Sequence, residues 1–175
     1  ELHEFKLKKA FIARPGWKIV NADQSQLELR IAGAVSGEEK FIKSYKNNID
    51  MHSRNAWVSF GLNIDTSTWV AEAIAKGFPK GSEEHQVYVE RAACKFIKNN
   101  YPDERQAAKS VSFGILYGMG EFSLADDLKI SMARAKEYIK SYLDSYPAIE
   151  KYLEDVAKEA KEQGYVTTML GRRRY

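Results

Sequence analysis

After a Pro15-Gly16 turn, Trp17, Ile19, Asn21 and Asp23 alternate with Lys18, Val20 and Ala22. A period of two predicts a strand over residues 11–23 and sets Asp23 at its end. The pattern then lengthens. Leu27, Ile31 and Val35 share a helical face, and Ser25 followed three positions later by Glu28 has the spacing of a capping box. Ser36-Gly37 closes this helix, and further helices are predicted over 38–46 and from Ser53 to Phe60. From 62 to 101 the pattern is weaker. It predicts a helix over 66–76, a loop over 77–81, and a helix from Ser82 and its two glutamates to Lys98. Asn99-Asn100-Tyr101-Pro102 breaks that helix, and Asp103 caps the next, which ends near Gly118 or Gly120. Helices over 122–128, 131–146 and 147–163 follow, with Pro147 at a first position and Gly164 as C-cap. Residues 165–170 read as a strand and Gly171 as a turn. The expected fold class is therefore α+β, mostly α, with a short strand at each end of a helical body.

One helix carries candidate chemistry. Arg105, Lys109, Phe113 and Tyr117 recur every four residues and drift only ~40° per step, forming a single stripe of two cations and two aromatics. Ala107, Ala108, Val111 and Ile115 give that helix an apolar back. The stripe is about 18 Å long at 1.5 Å per residue, roughly a nucleoside triphosphate laid lengthwise. Cations suit the phosphates, and aromatic faces suit a base.

Composition changes this picture little. The 175 residues suffice for one sizeable core. A net charge of +3 is compatible with a polyanionic partner without demanding one. The single Cys94 excludes an internal disulfide and a cysteine zinc site. With no run of 18 apolar residues and no signal-peptide pattern, the expectation is a soluble protein of the cytoplasm with no membrane partner.

Two segments carry a resemblance. Asp23-Gln24-Ser25-Gln26-Leu27-Glu28-Leu29-Arg30 resembles motif A of the family A DNA polymerases, the bacterial and phage DNA polymerase I class, usually Asp-Tyr-Ser-Gln-Ile-Glu-Leu-Arg. The Arg105–Gly118 stretch resembles motif B, the fingers helix, with its Arg-x3-Lys-x7-Tyr-Gly spacing. Asp50-Met51-His52 resembles the Asp-Ile-His between those motifs. Gly164-Tyr165-Val166 and Gly171-Arg172-Arg173-Arg174-Tyr175 resemble the return from fingers to palm. The likeness spans 5–61 and 102–175, with 62–101 resembling an insertion. It implies a partial palm over 1–35, fingers over 36–163 and the start of a return to the palm over 164–175.

The resemblance also assigns roles. Asp23 would ligate two Mg2+ ions, with Gln24, where the family usually has Tyr, adding its backbone carbonyl. Glu28 would lie under the sugar and, with Tyr117, block a ribose 2′-hydroxyl; the competing use is the capping box with Ser25. Arg105, Lys109 and His52 would contact the triphosphate, and Lys109 would also protonate the leaving pyrophosphate. Phe113 would sit against sugar and base, a Phe that in the family accompanies discrimination against 3′-deoxy terminators. Gln26, Arg30, Tyr117, Arg172 and Arg173 would contact primer-template DNA, with a structural salt bridge equally open to Arg30. The family's second carboxylate comes from a His-Asp-Glu motif, which this sequence lacks; its only adjacent aspartates, Asp126-Asp127, fall on a predicted surface helix. The expectation is thus a fragment of a larger or split polymerase, dependent on a complementary palm and thumb, which by itself binds deoxynucleoside triphosphates and DNA weakly at best and is inactive. Two other readings stand beside it: a phage-type single-subunit RNA polymerase, and a non-catalytic nucleic-acid-binding or assembly module of polymerase ancestry.

Overall fold

The computed structural model describes residues 10–175. These form α1 (Leu27–Ser36), α2 (Glu39–Lys46), α3 (Met51–Phe60), α4 (Ser67–Ala75), α5 (Glu83–Asn100), α6 (Pro102–Leu116), α7 (Glu121–Leu128), α8 (Met132–Ser145) and α9 (Pro147–Gln163), then β1 (Val166–Thr167) and β2 (Arg173–Arg174). Several boundaries have a visible cause. The Ser82 hydroxyl accepts the His85 N–H at 3.2 Å to cap α5, and Ser131 accepts the Arg134 N–H at 3.3 Å to cap α8. Pro102 and Pro147 open α6 and α9, where a missing N–H costs nothing. Glu38, nearly fully buried, serves two helices. Its carboxylate accepts from Lys40 N–H to cap α2 and from Ala148 N–H in the first turn of α9, both at 3.2 Å.

The core lies between α1, α2, α3, α6, α7, α8 and α9. Phe41 is its centre, wholly buried, with its ring edge-on to Tyr146 at 4.7 Å. α1 approaches closely because of Gly33, where an added Cβ would lie 2.8 Å from Phe41 Cβ. α3 and α6 form the most extensive helix pair. Across it Asn55 Nδ2 donates to Ser112 Oγ at 2.8 Å, Ser112 donates to the Ala108 carbonyl at 2.7 Å, and the Tyr146 hydroxyl donates to Asn55 Oδ1 at 2.6 Å. Each of these groups is satisfied, so the network fixes α3 against α6 at little desolvation cost. A smaller cluster of Ala56, Ile97 and Ala108 ties α5 to the same pair.

The structure corrects four expectations. Asp103 does not cap α6: Tyr101 holds the N-cap position, no side-chain cap hydrogen bond forms, and Asp103 lies in the first turn. Residues 11–23 form no strand, because a strand needs a ladder partner and the only sheet among the described residues is the β1–β2 hairpin. The apolar side chains of that segment, Phe11, Ile12, Trp17, Ile19 and Val20, are 61–89% exposed. The strand expected over 165–170 shrinks to Val166–Thr167, paired antiparallel with Arg173–Arg174 around a turn that includes Gly171 at φ 80°. Ser25 does not cap α1. The helix starts one turn element later, with Gln26 at the N-cap in the left-handed region (φ 55°) and no side-chain cap hydrogen bond. No helix of the described residues is long and apolar enough to cross a membrane.

Candidate functional site

Three elements meet around one open cavity of 620 Å³: the segment 23–30 with the start of α1, the first turn of α3, and the outer face of α6. Arg105, Lys109 and Phe113 project from α6 as the four-residue period requires, because Ala108, Val111, Ser112 and Ile115 bury the opposite side. Asp23, Gln24, Gln26, Glu28, Arg30 and His52 complete the wall with Asp50, Tyr45, Asn48 and Lys98. Tyr117 stands just outside the lining. It is the C-cap of α6, 75% exposed, and its ring stacks on Phe113 at 6.4 Å and 20°. Lys109 Nζ lies 5.8 Å from the Phe113 ring centre, and His52 packs on that ring's neighbourhood at 5.7 Å. Three of the four side chains of the cation–aromatic stripe therefore line the cavity, and the fourth stacks on them from its edge.

Asp50 is the residue that organises this wall. Its Oδ1 accepts from Gln26 Nε2 at 3.0 Å and from the His52 N–H at 3.2 Å, the latter capping α3. Its Oδ2 accepts from Ser53 Oγ at 3.0 Å and from Arg105 Nε at 2.9 Å. Burial alone would raise its pKa, but the hydrogen bond and charge of Arg105, with Ser53, hold it below the ordinary carboxylate value. One carboxylate thus joins α1, α3 and α6. Gln26, expected against DNA, spends its amide here, donating to Asp50 and accepting from the Tyr45 hydroxyl at 3.3 Å. Those two bonds offset its left-handed backbone. Arg30 donates from Nε to the Ser25 carbonyl at 2.9 Å and lies 4.3 Å over the Tyr45 ring, so a cation–π contact takes the place of the salt bridge.

His52 is only 4% exposed and its Nδ1 has no partner among the described residues. Burial, then the Arg105 and Lys109 charges, bring its pKa down to about 4 against the pull of Asp50. It is a neutral imidazole at neutral pH. By contrast Asp23 and Glu28 are exposed at the cavity edge, and among the described residues neither has a hydrogen-bond or ion-pair partner. Glu28 is therefore not used as a capping-box partner. Asp126-Asp127 falls on the exposed face of α7, with Asp126 paired to Lys129 at 3.0 Å, away from the cavity. Arg172 and Arg173 lie in the exposed hairpin, where Arg173 stacks over Tyr165 at 4.6 Å, and neither lines the cavity. Among the described residues no group of three or more His, Cys, Asp or Glu converges as a metal cluster.

The sequence profile of DNA polymerase family A matches residues 2–79 and 69–175, two pieces that overlap and together cover almost every position. The chain belongs to DNA polymerase family A. It is 34% identical over 169 residues to DNA polymerase I of Caldicellulosiruptor bescii and 32% identical over 171 residues to that of Bacillus caldotenax. Each match covers 97% of this chain and 16% of the relative, so the chain spans about a sixth of their length. Among solved structures, the POL domain of Pol1 from M. smegmatis, in complex with DNA primer-template and dNTP, superposes with a TM-score of 0.63 at 30% identity. That match covers 87% of this chain and 21% of the other. The family A chain is thus a mostly helical piece of a polymerase I polymerase domain, which sets aside the RNA polymerase reading.

Proposed function

We propose that this chain is the nucleotide-selecting part of a DNA-directed DNA polymerase. The whole enzyme would add deoxynucleotides to a primer 3′ end under template direction. The observation that supports this most is the single cavity that gathers Asp23, Glu28, His52, Arg105, Lys109 and Phe113 from three separated segments. Within it, Lys109 and the part of Arg105 not held by Asp50 bind the triphosphate. His52, being neutral, offers at most an N–H donor. Phe113 and the stacked Tyr117 face sugar and base. Glu28, left uncommitted at the start of α1, occupies the space a ribose 2′-hydroxyl would need, and this selects deoxynucleotides. Tyr117, Gln26, Arg30, Arg172 and Arg173 are kept as DNA-facing positions, although Gln26 and Arg30 act mainly by holding the cavity wall. Closure rotates α6 toward the bound nucleotide.

The residues present do not by themselves fit a Mg2+ site. Asp23 is one free carboxylate, Asp50 is committed to Arg105, and among the described residues no third ligand converges. Asp23 and the Gln24 carbonyl would supply part of a two-ion site whose other carboxylate comes from the remaining palm. Alone, the chain should bind nucleotide and not polymerise.

The test is to mix it with a complementary chain carrying palm and thumb and assay primer extension. Extension should appear in the mixture only, and should be lost with Asp23→Ala and fall at least 100-fold with Lys109→Ala. Activity surviving Asp23→Ala would refute the metal role. DNA binding without any extension would favour the non-catalytic module.

A further inference from the structure

Among the described residues, Arg105 and Asp50 make the only ion pair in the cavity wall, at 2.9 Å, with side chains 24% and 19% exposed. In a cavity read as binding a triphosphate this pairing is unexpected, because it cancels a cation that the phosphates would otherwise meet. Capping α3 does not account for it. The cap uses Oδ1, which accepts the His52 N–H, whereas Oδ2 accepts from Ser53 Oγ and Arg105 Nε. Against the burial that would raise its pKa, Arg105 and Ser53 keep Asp50 ionised at neutral pH, so the pair stays charged.

What the pair does supply is orientation. A guanidinium carries its N–H donors in one rigid plane. Asp50 takes the Nε–H at the root of that fork, and no other described residue accepts from Arg105, which leaves the Nη edge for a ligand. Arg105 also stands at the far end of the stripe. It precedes Phe113 by about 12 Å along α6, with Lys109 midway. With sugar and base at Phe113, Lys109 falls beside the first phosphates and Arg105 beside the last.

We propose, on the nucleotide reading above, that Asp50 is a positioning residue that makes this cavity select a nucleoside triphosphate over a diphosphate, by fixing the Arg105 fork at the reach of a third phosphate. Released from Asp50, the long Arg105 side chain would follow a shorter phosphate chain inward. The two ligands would then be held alike, even though the cavity had gained a positive charge. A residue that only capped α3 would, when replaced, weaken every nucleotide in step.

The experiment titrates the full chain with a fluorescent dATP analogue and displaces it with dATP, dADP and dAMP. The parent should bind dATP at least about 10-fold more tightly than dADP, as charge-assisted hydrogen bonds to one further phosphate require. Asp50→Ser keeps an N-cap hydroxyl for α3 and removes the carboxylate from Arg105. Its dATP preference should fall to about threefold or less, while dAMP binds no more weakly than to the parent. Arg105→Ala should lower the preference equally, and the double variant no further. The parent chain gives a second reading that needs no folded Asp50 variant. The NMR signal of the Arg105 Nε–H, assigned by its absence in Arg105→Lys, should persist when dATP saturates the protein. An unchanged preference in Asp50→Ser, all three nucleotides weakened in step, additive losses in the double variant, or disappearance of the Nε–H signal on dATP binding would each overturn the positioning role. Equal binding of dATP and dADP by the parent would also overturn it and leave the nucleotide reading standing. If no nucleotide binds the parent, both fall.

Discussion

The two sides of the candidate cavity are held in different ways. On one side, α6 presents Arg105, Lys109 and Phe113 from a helix whose back is locked to α3 by buried apolar contacts and the Asn55–Ser112–Tyr146 network. On the other, Asp23 ends a segment whose large apolar residues lie open to solvent and which has no strand partner among the described residues. The side proposed to bind phosphate is thus positioned by this chain's own core. The Asp23 side has no such support among the described residues, and in the proposed reading it is the side that would hold a metal. If that division is right, stability and site geometry should respond very differently to changes on the two sides.

The largest effect should come from the core. Phe41→Ala removes a wholly buried ring packed on Tyr146, Tyr45 and Gly33, and should cost about 3–5 kcal/mol in urea unfolding. Ile19→Ala, of similar apolar character but 61% exposed, should stay within about 0.5 kcal/mol in this chain. A large loss with Ile19→Ala would mean that the 11–23 segment is packed after all, and the contrast between the two sides would fail.

A smaller effect concerns the hinge between the sides, where His52 sits at the start of α3. The unfolded chain takes up a proton on this imidazole below about pH 6.5, whereas the folded protein resists until about 4. The unfolded state therefore binds more protons across that window, and stability should fall as pH drops from 6.5 toward 4. The start of a helix adds to the penalty, since its dipole disfavours a cation there. Because the cavity beside His52 is open to solvent, the contribution is on the order of 1–2 kcal/mol rather than the full value for a sealed site. Asp50, with its pKa depressed, is lost only at lower pH, below its ordinary value of 3.8, so the window isolates the histidine. Urea melts of the parent and His52→Gln should converge toward pH 4; parallel profiles would show that His52 is protonated freely.

How much of this was legible follows the same division. The α6 stripe could be read because a four-residue period is local, and the helices capped by Ser82 and Ser131 could be read because their caps lie three residues from their partners. Asp50 could not be read as an organiser, since Gln26 and Arg105 lie 24 and 55 residues away and no local pattern reports them. Tyr45 was missed for the same reason, its two site contacts being with Gln26 and Arg30. The first strand failed in the opposite direction: alternation states what a strand would look like but not whether a partner strand is present.

The smallest effect tests the start of α1, where local pattern and structure disagree. Ser25 and Glu28 have capping-box spacing, and were Ser25 a true cap, Ser25→Ala would cost about 1 kcal/mol. In the structure Gln26 holds the N-cap position with a left-handed backbone, fixed through its amide to Asp50 and Tyr45, and Ser25 contributes its carbonyl to Arg30 instead of its hydroxyl to the helix. Ser25→Ala should therefore cost less than about 0.3 kcal/mol, whereas Ser131→Ala, which removes an observed cap, should cost about 1 kcal/mol. Double-mutant cycles sharpen the point. Ser25→Ala combined with Glu28→Ala should be additive within error, because the two side chains do not meet across the turn. A coupling of 0.5 kcal/mol or more would mean that Glu28 is spent on capping. Its carboxylate would then not be free to face a sugar, and the proposed selection of deoxynucleotides would lose the residue on which it rests.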